Sequence, residues 1–434
     1  MKIIGYTLLV VLFSLNLGAQ EPLLISQEEV FAKVRENNRT LKMSQQDVLM
    51  ARGDLDQTNA VVLPNVGISH TGFATTNPLM AFGFKLNQAI LTQGDFDPNL
   101  LNNPSQVEDY ATRIVVQQPV LNLDGLYQRK AAKSKLHATE LQSVRTRDYV
   151  ELEMYKAYMQ LQLAYKTLNV LEKAKEAALE NKRIAHNSFK QGYLQKSDVL
   201  AVEVRLTEID NQLQYAKSNI QNASNYLSVL MDDNNYPILQ PIDSLTVNED
   251  TAAPDGLSED RADIQAMVAA SKAYQQLHTA DKMRFLPRLN AFGTYELHDD
   301  TVFQGEAEGY FFGAELQWNL FEGGARLGKA KKSKAEYEKS MLQLQQYKAE
   351  SQVELNRAQR MLDDAKNNLV LAGLAMEQSK ESLRIRTNRF GEGLEKTTDV
   401  LWAESQYAQK QLDYYATIFN HNYSLAYVQF LTKD

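Results

Sequence analysis

Of the residue types that do chemistry, this chain offers carboxylates and little else. It has no cysteine, which removes thiol nucleophiles, thiolate metal sites and disulfides. Its six histidines, at positions 70, 137, 186, 278, 298 and 421, include no pair at ligand spacing, so no metal site is expected. No phosphate-binding glycine loop and no nucleophile–base constellation is present, and neither an enzyme nor a cofactor is expected. The acids that stand out are Asp198 and Asp399, because the sequence around them occurs twice. Phe189-Lys190-Gln191-Gly192-Tyr193-Leu194-Gln195-Lys196-Ser197-Asp198-Val199-Leu200 returns as Phe390-Gly391-Glu392-Gly393-Leu394-Glu395-Lys396-Thr397-Thr398-Asp399-Val400-Leu401. In each copy a helical pattern stops at an aromatic, turns through Gly192 or Gly393, and restarts behind Ser197 or Thr398. One reading is structural: an acid in the first turn of a helix, favoured by the helix dipole, with Ser197 or Thr398 as the cap. The other is electrostatic: carboxylates that set the field of a narrow aperture.

A repeat of this size means that one structural unit is built twice. From Leu126 to Lys190 there is neither Pro nor Gly. Within that run Val150, Met154, Ala157, Leu161, Ala164, Leu168 and Leu171 alternate in steps of four and three, the seam of helices packed side by side. At about 1.5 Å per residue the run reaches on the order of 95 Å. The second copy, Ala325 to Arg389, places smaller residues at its inner positions: Ala358, Met361, Ala365, Ala372 and Ala375.

The period changes to two just before each long helix. Tyr310, Phe312, Ala314, Leu316, Trp318 and Leu320 alternate with a largely polar set, the pattern of a strand with one face to lipid and one to water. Tyr310 and Trp318 are the expected lipid-interface anchors. Strands are predicted at about 63–75, 108–121, 286–298 and 309–321. Pro64 and Pro287 suit a strand's first residue, and Pro119 lies in the passage from strand to helix. Pro64 to Pro119 spans 55 positions where Pro287 to Asn319 spans 32, so the first inter-strand loop is 23 residues longer. That extra segment, around Pro78 to Phe84, is too apolar for a bare solvated loop and is expected to pack over the barrel mouth or a neighbouring subunit.

The chain therefore divides into a signal peptide (1–19), a first repeat (20–230), a Pro- and Asn-rich linker (231–257) and a second repeat (258–434). The tip turns fall at 190–197 and 390–397. A formal net charge of −8 argues against nucleic-acid binding. Four strands cannot close a membrane barrel, and an open edge in lipid leaves backbone groups unpaired at several kcal/mol each. Closure needs several chains. Eight strands from two chains would be filled by their own side chains; three chains are favoured, and four also satisfy the strand count.

The paired Leu-Pro strand starts, the strand ends Val120-Leu121-Asn122-Leu123-Asp124-Gly125 and Leu320-Phe321-Glu322-Gly323-Gly324, and the twin Gly…Ser/Thr-Asp-Val-Leu turns resemble the TolC-like outer-membrane efflux proteins over essentially the whole mature chain. The resemblance implies a mixed α and β membrane protein of the bacterial outer membrane: a homotrimer with a twelve-stranded barrel, continued by an α-helical tunnel across the periplasm. It implies a passive conduit, working with a periplasmic adaptor and an inner-membrane pump or exporter, for efflux or type I secretion. It places Asp198 and Asp399 at the periplasmic entrance, six carboxylates per trimer. The family's second acid, one helical turn on, is replaced here by Ala201 and Trp402, and Trp402 would narrow the entrance by bulk. It also turns Gly192 and Gly393 toward the adaptor, with Lys190, Lys196, Arg389 and Lys396 among the basic residues around them. The rival readings are a periplasmic coiled-coil adaptor, against which the Tyr310–Leu320 alternation stands, and a surface protein whose loop around Phe82 holds a ligand or partner.

Overall fold

A computed structural model describes residues 22–249 and 256–434. Residues 1–21, which hold the expected signal peptide, and residues 250–255 of the linker lie outside the described residues. In chain order the elements are β1 (Leu23–Ile25), α1 (Gln27–Asn37), α2 (Arg39–Gln57), β2 (Asn65–Thr75), α3 (Pro78–Asn87), α4 (Pro98–Asn102), β3 (Val107–Leu121), α5 (Leu123–Lys190), α6 (Lys196–Met231), β4 (Leu239–Pro241), α7 (Ala262–Met283), β5 (Arg288–Asp299), β6 (Ala307–Gln317), α8 (Ala325–Gly391) and α9 (Thr397–Thr432). Among the described residues no helix is long and apolar enough to cross a membrane, and no cluster of His, Asp and Glu could hold a metal ion.

Two compact units emerge, and each draws on both sequence repeats. One comprises the chain up to Lys42, Thr146–Leu257 and Val353–Lys433; the other comprises Met43–Arg145 and Ser258–Gln352.

The first unit is helical, with its core along the predicted seam. Val150, Met154, Ala157, Leu161, Ala164 and Leu171 of α5 are buried, joined by Val30 and Val34 of α1 and by Ile220 and Leu227 of α6. In α8 the expected seam holds at Ala358 and Ala365, which are buried together with Leu355 and Leu362, while Met361 is exposed. The linker is not free chain. Its β4 pairs in parallel with β1, Leu23 facing Leu239. Tyr158 of α5 ties the two strands at one end of that pair, its hydroxyl lying 3.2 Å from the Ile25 carbonyl and 3.1 Å from Oδ2 of Asp243, just past β4.

The second unit holds a four-stranded antiparallel sheet in the order β2-β3-β5-β6. Register and alternation sort its residues into two faces. Ile68 opposes Ile114, which opposes Tyr295, which opposes Tyr310; Val66, Val116, Gly293 and Phe312 form the next row of this apolar face. The apolar face is bare, with Ile68 74% and Phe312 80% exposed. Ser69, Arg113 and Glu296 share the opposite, polar face, where Arg113 and Glu296 form an ion pair at 2.6 Å. The outer strands β2 and β6 each have one unpaired edge. The fourth strand ends at Gln317, short of the expected 321. Trp318 therefore lies past the ladder, where its indole N–H donates to the Phe285 carbonyl at 3.0 Å. Pro119 sits inside β3, where the register slips between Pro119 and Leu121; a residue without an N–H fits at such a bulge.

Helices of this unit are tied by a buried charge network. Asp263, near the start of α7, receives Arg261 Nε at 2.7 Å, the Tyr347 hydroxyl at 2.6 Å and Arg145 Nε at 3.3 Å, and Arg261 also donates to Ser351 Oγ at 2.8 Å. Arg145 belongs to α5 and Ser351 to α8, so three helices meet at one carboxylate.

Candidate functional site at the tip turns

The two turns are copies down to single hydrogen bonds. In the first, Gly192 N donates to the Phe189 carbonyl at 3.0 Å and Tyr193 N to that of Ser188 at 2.9 Å; in the second, Gly393 N donates to Phe390 at 3.0 Å and Leu394 N to Arg389 at 2.9 Å. Both glycines have positive φ, +80° and +74°. This is a helix C-cap in which the chain reverses through a left-handed residue and returns its amides to the last free carbonyls. A side chain at that residue costs roughly 1–2 kcal/mol, so Gly is the fitting residue in both copies.

The restart differs from the expectation. Each following helix is capped two residues earlier, at Gln195 and Lys396 rather than at Ser197 and Thr398. In the first copy Asp198 Oδ2 accepts the Gln195 N–H at 3.0 Å while Asp198 N donates to the Gln195 carbonyl at 3.1 Å, so this acid closes its own turn. Asp399 repeats only the second of these bonds, to Lys396 at 3.1 Å. Both acids are half-buried.

The basic residues fall into two groups. Arg386 and Arg389 both bind Glu395, at 2.8 and 2.9 Å; Lys182 pairs with Glu203 at 3.1 Å; Arg183 and Arg384 pair with Glu180 and Glu381 one turn back on their own helices. Hydrogen bonds from these two arginines hold Glu180 and Glu381 below the usual carboxylate range. By contrast Lys190, Lys196 and Lys396 are exposed and, among the described residues, make no ion pair. Beside them stand exposed apolar side chains, notably Tyr193 and Leu394. Trp402 is exposed on α9 with the Arg386 guanidinium 5.8 Å from its ring centroid, a cation–π contact.

One group here was not legible in the sequence. Glu404 of α9 is buried, with Oε2 accepting Asn181 Nδ2 of α5 at 2.8 Å. Burial pushes its carboxyl above the usual range, and the charge of Arg205 and the Asn181 bond offset this only in part. Its folded-state pKa lies above the unfolded value, so the stability tied to its proton is complete below the unfolded value and is lost as pH rises through the folded one. Glu404→Gln is expected to raise the midpoint of thermal unfolding at neutral pH and to flatten its decline from acidic to neutral pH. Circular dichroism melts of the detergent-solubilised protein test this, and an unchanged pH slope would refute it.

The turns have no catalytic geometry: they offer charge, exposed apolar side chains and an aromatic. Residues 253–417 match the family described as outer membrane efflux protein. A comparison with curated protein sequences found no match. Among solved structures, the Campylobacter jejuni CmeC outer membrane channel is 19% identical with a TM-score of 0.81, covering 94% of this chain and 85% of that one. The outer membrane protein VceC of Vibrio cholerae is 18% identical with a TM-score of 0.77, covering 94% and 96%. The Neisseria gonorrhoeae MtrE outer membrane channel, in its open state, is 15% identical with a TM-score of 0.77, covering 94% and 88%. The fold of this chain is that of the TolC-like outer-membrane channels.

Proposed function

We propose that three copies of this chain form one outer-membrane channel of a tripartite efflux or type I secretion system, a passive conduit fed by an inner-membrane pump through a periplasmic adaptor. The observation that carries the reading is the sheet. Four antiparallel strands present a bare apolar face, a polar opposite face and two unpaired edges. In water that face would be a liability; in lipid it is the required surface, and the edges must be paired by neighbouring copies. Twelve strands leave a lumen, whereas eight would be filled by side chains. A soluble periplasmic adaptor has no use for such a sheet. Tyr310 in β6 and Trp318, just past the strand's end, serve as interface anchors.

The tip turns are read as the periplasmic entrance and the adaptor-facing surface. Asp198, Asp399 and Trp402 line the entrance, with the charge of Asp198 shared with its own turn. Gly192 and Gly393 shape the tips that meet the adaptor. Of the basic residues, Lys190, Lys196 and Lys396 have charges free for a partner, while Arg389 is engaged with Glu395 and its reversal would loosen the turn. Reversing the three lysines to Glu is expected to reduce adaptor crosslinking by about tenfold, a loss on the order of 1.4 kcal/mol shared by three rim charges, with the oligomer intact. Crosslinking at the wild-type level would remove these lysines from the docking surface.

A further inference from the structure

The 23-residue excess of the first inter-strand loop has a definite place in the fold, and it is on the polar face of the sheet. Phe84 of α3 stacks on Phe73 of β2, ring centroids 5.7 Å apart, and Gln88 Nε2 donates to Asp109 Oδ1 of β3 at 3.0 Å. Phe73 and Asp109 are directly opposed and share the face of Ser69, Arg113 and Glu296. Gln88 also donates to the Glu108 carbonyl at 2.7 Å and to the Asp299 carbonyl at 3.3 Å, bridging β3 and β5. Beneath it His298 Nδ1 lies 3.1 Å from both Asp109 oxygens and its Nε2 lies 3.4 Å from Glu296, so the histidine serves this latch.

Burial gives independent support. A single sheet leaves both faces open unless something lies on one. At the loop end of this sheet the polar-face residues Val107, Asp109, Ala111, His298 and Ala307 are all at most 8% exposed, whereas Ile68 and Phe312 leave the apolar face bare nearer its middle. The covering segment is itself braced. Lys85 pairs with Asp95 at 2.7 Å, and Asp95 takes the Thr92 N–H and hydroxyl at 2.7 Å each. The Lys85 bond, with the two from Thr92, holds the Asp95 carboxyl far below the usual range. What the loop then leaves open is apolar: Leu79, Leu86, Ile90, Phe96 and Leu100 are all exposed.

We propose that this loop is an exit constriction, an inward-folded collar that lies on the lumen face of its own strands and meets the same loops of the other two copies at the outward mouth. The proposal rests on the barrel reading above. Apolar constrictions exclude water and ions by dewetting, so the collar would favour the passage of amphipathic or apolar solutes over small ions and hydrophilic polymers.

The absence of native cysteine makes the test direct. Val115→Cys places a thiol on the lumen face beyond the collar, and Val302→Cys places one in the other inter-strand loop. Intact cells are treated with a polyethylene-glycol maleimide too large for general pores. Val302→Cys should label in every background. Val115→Cys should label slowly in the native loop, and about tenfold or more faster when residues 78–103 are replaced by a short turn, as removal of an apolar constriction requires. Phe84→Ala with Gln88→Ala, which keeps the loop but removes its latch, should also accelerate labelling, and decides the matter if the shortened chain does not assemble. Equal Val115→Cys rates with and without the latch, while Val302→Cys labels, overturn the collar alone. No labelling of Val302→Cys from outside overturns the outer-membrane reading beneath it.

Discussion

Val116→Arg is expected to abolish recovery of the assembled protein from the outer membrane, and Val115→Arg, one residue away, to leave it there. Both lie near the centre of β3, on opposite faces. Val116 is in the row of Val66, Gly293 and Phe312, whereas Val115 opposes Gly67 and Thr294 on the lumen side. An arginine on the lipid face near the bilayer midplane costs about 2–4 kcal/mol, and a lumen substitution costs far less. In the proposed trimer three copies would carry that cost, so the paired outcome should be close to all-or-none. Membrane fractionation with quantification of the assembled species reads it out; equal losses from the two variants would mean that the faces are wrongly assigned.

The second large effect concerns the buried acid of α7. Asp263→Ala removes the carboxylate that balances the Arg261 and Arg145 guanidinium groups, each no more than 7% exposed. Losing one member of such a buried network costs about 3–5 kcal/mol. Burial alone would raise the Asp263 pKa, but the bonds from Arg261 and Tyr347 and the charges of Arg145 and Arg261 outweigh it, and the carboxyl is held below its ordinary range. The stabilisation is therefore present above the unfolded carboxylate pKa and is lost as pH falls through the lowered folded value. Urea unfolding should show both consequences: a lower midpoint for Asp263→Ala at neutral pH, and a gap to the wild type that narrows in acid. Asp263→Asn, which keeps the shape and some of the hydrogen bonds, should fall between them. A midpoint for Asp263→Ala equal to the wild type would show that the three helices do not depend on this carboxylate.

The strands were legible because a one-layer sheet between lipid and water imposes alternation on every residue, and the α5 seam because Val150 to Leu171 never break step. The features that escaped depend on partners distant in the chain. β1 and β4 are three residues each, too short for a period, and find each other across the whole first repeat. Glu404 is unremarkable in sequence and becomes a buried acid only because Asn181 and Arg205 come from other helices. The caps moved from Ser197 and Thr398 to Gln195 and Lys396 because the helices begin two residues earlier, a boundary that local residue type fixes poorly. The glycines of the two strand-to-helix passages look equivalent in sequence and are not. Gly323 and Gly324 take positive φ, whereas a Cβ on Gly125 would meet Val61 Cγ1 at 2.7 Å, so one passage needs conformational freedom and the other needs space.

The number of chains in the assembly tests the account most directly, because every inference about lumen, entrance and collar assumes that two bare strand edges are closed by copies of this chain. Native mass spectrometry of the protein extracted by detergent from isolated outer membranes is predicted to give three chains and no bound subunit of another kind. A monomer, a different number of chains, or recovery of the protein from the soluble periplasm without detergent would contradict it.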